Sequence, residues 1–210
     1  MSLARAQFQR LDPDLRRQSL INATARCLAR YGVGGSSVRV ICAEAGVSAG
    51  LLRHYFAGID ELIAETYADV GERLVATMAA AADNAGPDPR DQLRAFVMAS
   101  FKPPIADPDM LATWLAFWSL IKTDARIREL HTRNYASHRI PVEKMVAKIL
   151  GPEASRVDVR LTAVGVTALV DGLWLELCLD SSSFTPEEAV RIADKWLNAL
   201  VGDPLKVLAD

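Results

Sequence analysis

Apolar residues recur at helical spacing along almost the whole chain, and no stretch of useful length alternates with the period of two that marks a strand. Asp12-Pro13 supplies a cap followed by proline at the first helical position. Leu20, Thr24, Cys27, Leu28 and Tyr31 then form one face that stops at Gly32. Past a Gly/Ser connection, Val38, Ile41, Cys42 and Ala45 keep the spacing as far as Gly46, and Leu51, Leu52 and Tyr55 resume it. A longer helix is predicted from Asp60 to about Asn84, with Asp60 and Glu61 placed favourably in its first turn. Gly86-Pro87-Asp88-Pro89 breaks it. Five further helices are predicted, at about Asp88 to Phe101, Asp107 to Lys122, Asp124 to Leu150, Ser155 to Leu179 and Thr185 to Val201. Pro103-Pro104, Asp107-Pro108, Gly151-Pro152 and Thr185-Pro186 punctuate them, and Pro141 should kink or split the third. The fold class is all-α: an N-terminal three-helix domain over residues 1–58 and a C-terminal helical bundle over 59–210, with helix 60–84 as connector.

The two short helices carry the chemistry. Ser37 can cap the first and Ser48 the second, each offering a side-chain oxygen to unpaired backbone N–H groups, while Gly46 permits the left-handed backbone that ends a helix. Ala45, Val47 and Leu51 are small or apolar at the crossing, and Arg53 and His54 fall on a different face from Leu51. This is a helix-turn-helix whose second helix offers polar groups to a DNA groove. The string AGVSAGLLRHYF, with its Ser-capped preceding helix and the Asp60-Glu61-Leu62 that follows, resembles the DNA-binding motif of TetR-type one-component repressors over roughly Asp12 to Tyr67. That resemblance implies that the helix beginning near Ser48 enters the major groove and that Ser37, His54 and Tyr55 touch phosphates. The candidate DNA-contacting set is Ser37, Arg39, Ser48, Ala49, Gly50, Arg53, His54 and Tyr55. Ile59 stands where the family usually has lysine, which removes one phosphate contact.

Composition changes this picture in one respect. The net charge of −2 argues against nucleic acid only until it is divided along the chain. Residues 1–55 hold eight arginines against Asp12, Asp14 and Glu44, and the acidic excess lies entirely in the remainder. A basic reading end with an acidic body behind it would orient the encounter with DNA, although the same arginines could be solvated helix faces. Arg5 and Arg10 could form a basic arm. At 210 residues the chain can bury a substantial core, and no uninterrupted apolar run approaches the ~18 to 20 residues that span a bilayer. No export signal is visible at Met1 to Gln18, so the expectation is a soluble protein of the cytoplasm without a membrane partner. Cys27, Cys42 and Cys178 are widely spaced in apolar patterns and read as buried thiols, not as a disulfide framework or zinc site.

In the bundle, Trp114, Phe117, Trp118 and Ile121 form a heavily aromatic stripe, and Asp171 with Trp174 and Cys178 places a carboxylate beside another indole. The words WLAFW (114–118) and DGLWLEL (171–177) resemble the C-terminal domain of the choline-responsive, BetI-like branch of the TetR family, over about Ala106 to Asp180. That resemblance implies an aromatic cage for a quaternary ammonium. Its candidates are Trp114, Phe117, Trp118, Tyr135 and Trp174, with Asp171 or Glu176 supplying charge through cation–π and ionic attraction. The competing reading is that the stripe is core and Asp171 pairs within the bundle. His131, Asn134 and His138 line up on one helix as polar lining or as a solvated face, without a third group that would complete a metal site. Val159, Ala163, Val166, Val170 and Leu173 on one late helix, with Val190, Ala193, Leu197 and Leu200 on another, suggest a homodimer closed by a four-helix bundle. The function expected is a ligand-responsive repressor that binds palindromic operator DNA as a homodimer and is released by a small molecule such as a choline-like cation. The alternative is a DNA-binding regulator without such a ligand. No cofactor is called for, and no nucleophile with an orienting base, phosphate loop or metal pattern supports catalysis.

Overall fold

The computed structural model describes residues 12–201. Nine helices lie in order among them: α1 (Pro13–Gly35), α2 (Val38–Ala45), α3 (Ala49–Tyr55), α4 (Ile59–Asp83), α5 (Pro89–Ala99), α6 (Pro108–Leu120), α7 (Ala125–Leu150), α8 (Arg156–Leu179) and α9 (Pro186–Val201). No strand occurs among the described residues. Side-chain caps hold seven of the starts after α1: Ser37, Ser48, Asp88, Asp107, Asp124, Ser155 and Thr185 each accept from backbone N–H groups of the turn they open. Gly58 opens α4 without a side chain, and Glu61 instead reaches back to the Ala57 N–H. Arg5 and Arg10, and the side chain of Leu200, lie outside the described residues.

Two apolar clusters form the interior. The smaller gathers Leu20, Ile21 and Cys27 of α1 with Ile41 and Cys42 of α2, Leu52 of α3, Phe56 and Leu62. The larger runs through α4 to α9. Ile59 is half-buried and packs against both clusters, so the position that carries lysine in related motifs here works as an apolar joint. Other joints are polar: Arg17 donates to Glu65 at 2.9 Å and Gln18 to Asp69 at 3.1 Å, tying α1 to α4. α1 also lies along α6, where the Thr113 hydroxyl is 3.2 Å from the Ala25 carbonyl.

Several expectations need correction. The spacing places Tyr31 on the packed face of α1, but it is 54% exposed, next to Gly32, where the backbone leaves the helical conformation (φ 61°). Of the kink or split expected at Pro141, the split does not occur: α7 runs unbroken to Leu150, with the Ser137 carbonyl left without its usual helical donor. The apolar stripe assigned to a partner is mostly internal: Ala163, Val166, Ala193 and Leu197 are buried within the chain and pack in the larger cluster. The apolar surface that remains exposed is a different one. Val157 and Leu161 on α8 and Ile192 and Trp196 on α9 are between 42% and 55% exposed, and the Trp196 ring lies against α8 at Gly165. α8 is long and apolar enough to cross a membrane by length and composition, yet it carries Asp171 and packs against α6, α7 and α9.

Candidate functional site: a reading helix and an aromatic cavity

The turn between α2 and α3 is closed by backbone bonds that the sequence dictates. Gly46 takes the left-handed conformation (φ 65°, ψ 33°), so its N–H reaches Ala43 O at 3.3 Å and the Val47 N–H reaches Cys42 O at 2.9 Å. That pair of bonds is a Schellman closure, and only a residue without a Cβ adopts it without strain. The Ser48 Oγ then accepts from the Leu51 N–H at 3.2 Å and starts α3. Leu52 is the buried anchor of this helix, at 1% exposure, which leaves its other faces outward. Ser37, Arg39, Ser48, Ala49, Gly50, Arg53 and His54 are all exposed, and Tyr55 is half-buried with its ring edge-on to His54 at 5.1 Å.

The arginines separate into two groups. Arg26 and Arg30 both pair with Glu44, at 2.6 and 3.5 Å, and Arg17 pairs with Glu65 while lying 5.2 Å from the Phe56 ring centroid. These three hold the helices to one another. Arg39 and Arg53 make no ion pair with any described residue, so their charge is available to an outside anion.

In the larger cluster, α4 to α8 enclose a small cavity of about 30 Å³ lined by Leu74, Ser100, Trp114, Trp118, Tyr135, His138, Val170, Asp171 and Trp174. Five of the six predicted ligand residues line it. The sixth, Phe117, does not: it is fully buried, packed edge-on against Tyr67 at 4.7 Å and Trp114 at 5.9 Å. Glu176, the alternative charge, is exposed and absent from the lining. His138 is the lining residue that periodicity left undecided. His131 and Asn134 stand behind it, His131 bonded through Nδ1 to the Tyr67 hydroxyl at 2.9 Å and Asn134 packed against Gly71.

Electrostatically the cavity is organised around Asp171. Tyr135 donates to its Oδ2 at 2.6 Å, which favours the carboxylate, but burial dominates and pushes the acid up to about 6. Burial and the adjacent carboxylate raise the Tyr135 phenol well above its ordinary range, so it stays a donor. Burial, then the nearby Arg139, lowers His138 to about 4 and keeps it neutral. No Lys or Arg lines the cavity. Trp174 Nε1 donates to Ser100 O at 3.1 Å and the Trp118 N–H is directed at the Tyr135 oxygen, whereas the buried Nε1 of Trp114 has no acceptor. Such an unpaired donor costs roughly 1–3 kcal/mol. Cys27 and Cys42 are buried and Cys178 is half-buried, and no group of three metal-ligating residues occurs among the described residues.

Comparison with known proteins matches two parts of the chain to described families. Residues 20–66 match the family described as bacterial regulatory proteins, tetR family, and residues 89–202 match the family described as BetI-type transcriptional repressor, C-terminal. The chain belongs to the TetR family. Among its relatives, the HTH-type transcriptional regulator BetI of Burkholderia ambifaria is 32% identical over 188 residues, covering 90% of this chain and 95% of that one. A putative transcriptional regulator from Pseudomonas aeruginosa PAO1 has a similar structure, with TM-score 0.83 and 40% identity over 93% of this chain and 95% of that one. Two remoter structures share the fold. One is a putative regulator from Saccharomonospora viridis in complex with choline (TM-score 0.72, 18% identity, 88% of this chain and 96% of that one). The other is FadR from Bacillus subtilis in complex with stearoyl-CoA (TM-score 0.74, 16% identity, 88% of this chain and 97% of that one). A BetI-type TetR regulator is a DNA-binding transcription factor and not an enzyme.

Proposed function

We propose that this TetR-family regulator is a repressor that binds a palindromic operator as a homodimer and is released when a small organic cation occupies the cavity around Asp171. Residues 1–58 serve as the reading unit and 59–210 as the sensing and dimerising unit, with α4 as connector, in the cytoplasm. The observation that carries the ligand reading is the lining itself: three indoles and a phenol surround one half-buried carboxylate, with no Lys or Arg in the wall and the lining His138 held neutral. π-Faces and a carboxylate attract a cation together, each good cation–π contact contributing ~0.5 to 2 kcal/mol. The choline complex of a remote relative and the BetI names of closer ones support a quaternary ammonium, while the stearoyl-CoA complex shows that this fold alone does not fix the ligand.

On the DNA side, exposed Arg39 and Arg53 without acidic partners support contact with DNA through the motif. Arg53 is assigned to base edges and Ser37, His54 and Tyr55 to phosphates. The exposed apolar residues of α8 and α9 support pairing with a second copy.

One observation favours a second reading, a DNA-binding regulator without a small-molecule ligand. At about 30 Å³ the cavity has room for about one water and must open to admit an organic cation. A thermal-shift series decides between them. Quaternary ammonium compounds at millimolar concentration should raise the melting temperature of the wild type and not that of Trp174→Ala or Asp171→Asn. Stabilisation by neutral apolar compounds alone would retire the cation reading, and no stabilisation by any small molecule would favour the second one.

A further inference from the structure

α4 and α7 pack side by side in the same direction, and three contacts between them rise in step: Glu61 with Arg126, Tyr67 with His131, and Gly71 with Asn134. The uppermost is a close approach, since a Cβ on Gly71 would lie 2.9 Å from Asn134 Nδ2. The middle one joins the Tyr67 hydroxyl to His131 Nδ1 at 2.9 Å. The lowest lies at the foot of both helices. Arg126 is in the first turn of α7, next to Ile127, which is buried in the larger cluster, and Glu61 is in the first turn of α4.

The two oxygens of Glu61 face different parts of the molecule. Oε2 accepts the Ala57 N–H, in the linker that leaves the reading helix, and Oε1 faces Arg126 Nη2 at 4.0 Å. Phe56 anchors that linker in the smaller cluster, but Ala57 is exposed and Gly58 brings no side-chain cap, so the carboxylate of Glu61 does what a capping side chain would do. One side chain therefore connects the end of α3 to a helix of the body without passing along α4. That helix, α7, also carries Tyr135 into the cavity wall, about 14 Å above Arg126.

We infer that Glu61 is a positioning residue for DNA reading, holding α3 at the angle that fits the groove and taking its reference from Arg126 on α7. The inference rests on the reading of DNA by α3 and is independent of what the cavity binds. An acid in a first turn is ordinarily there to complement the helix dipole, and that account makes the opposite forecast. Glu61 is a negative charge on the unit that approaches a polyanion, so on charge alone its removal strengthens binding to every DNA sequence. In a positioning role its removal weakens binding to the operator and leaves random-sequence DNA bound at least as well.

Fluorescence anisotropy on the full-length protein tests this, with an operator obtained by binding-site selection and a random duplex of the same length, each at several salt concentrations. Glu61→Gln keeps an acceptor for Ala57 and removes the charge that faces Arg126, while Arg126→Gln removes the other partner. Each should lower operator affinity by roughly 2- to 5-fold, the range of a half-exposed ion pair, with no loss on random DNA. The double variant should be no worse than either single one, because the same contact is lost once. Glu61→Ala, which also removes the acceptor, should lose roughly tenfold. Arg126→Gln should keep the wild-type salt slope, since that arginine holds Glu61 and not a phosphate. Arg126 is half-exposed on the body, so its variant carries the test should a Glu61 variant misfold. Operator affinity unchanged or raised in Glu61→Gln, equal losses on operator and random DNA, additive losses in the double variant, or a salt slope shallower by about one in Arg126→Gln would overturn the inference and leave DNA reading by α3 standing. A wild type that selects no operator sequence would overturn both.

Discussion

Asp171 is set by opposing forces, burial raising its pKa to about 6 and the Tyr135 hydroxyl lowering it. Because the folded pKa lies above the ordinary carboxylate value, the folded state holds this proton more tightly than the unfolded chain does. The buried charge therefore costs stability above about pH 6, and the cost is relieved as pH falls through that value toward about 4. Asp171→Asn should accordingly stabilise the ligand-free protein at about pH 8, by about 2 kcal/mol, and much less at about pH 4.5. Denaturant melts at the two values check this. The same titration governs a bound cation: affinity should fall roughly tenfold between about pH 8 and pH 5 as the carboxylate is neutralised. Tyr135, Tyr67 and His138 are the other titratable groups near Asp171, and raised phenols and a lowered imidazole keep all three uncharged over that window. At the other end of the molecule, Arg53→Ala should flatten operator preference in a binding-site selection, because an arginine on the reading helix can donate two bonds to guanine. Tyr55→Phe should instead weaken binding to all sequences alike.

Among the elements, α4 joins the reading motif to the cavity at a definite place. Tyr67 is fully buried on it, edge-on to Trp114 at 5.3 Å, with its hydroxyl on His131, whose ring lies 4.2 Å from that of Tyr135. A continuous set of contacts thus leads from Asp171 to a helix that begins four residues after Tyr55. Tyr67→Phe preserves the packing and removes the hydroxyl. It should leave cation affinity nearly unchanged but reduce the effect of the cation on operator affinity, which titrations with and without operator measure as a coupling factor. The helix starts and stops were legible in the sequence because caps, glycines and prolines act locally, and Gly46 and Ser48 do what their types dictate. What was not legible depends on which way a helix turns its faces. Phe117 shares a stripe with Trp114 and Trp118 yet lies in the core, its ring edge-on to Tyr67 of α4. His138 lines the cavity while Glu176 faces outward, a distinction that one-dimensional spacing does not contain. The lie of α1 along α6 gives the aromatic helix a second physical route to the reading motif, through Thr113 and Ala25, beside the one through α4.

For the molecule as a whole, specificity for an operator requires two reading helices about one DNA turn apart, ~34 to 36 Å or a multiple, and hence a dimer. The exposed surface available for it is Val157, Leu161, Ile192 and Trp196, not the stripe the sequence suggested, because that stripe closes the chain's own core. Trp196→Glu should convert a dimer to monomers in sedimentation at micromolar concentration, with the helical content retained. A wild-type monomer under the same conditions would count against dimeric reading. The central claim, that a cation at Asp171 controls the reading helices, is tested most directly by titrating labelled operator obtained from a binding-site selection with the wild type and Asp171→Asn, with and without saturating choline. The account predicts that choline weakens operator binding by the wild type by roughly 5- to 150-fold, a coupling of ~1 to 3 kcal/mol, and leaves the variant's binding unchanged. An operator affinity that choline does not alter, or alters equally in both proteins, would contradict it.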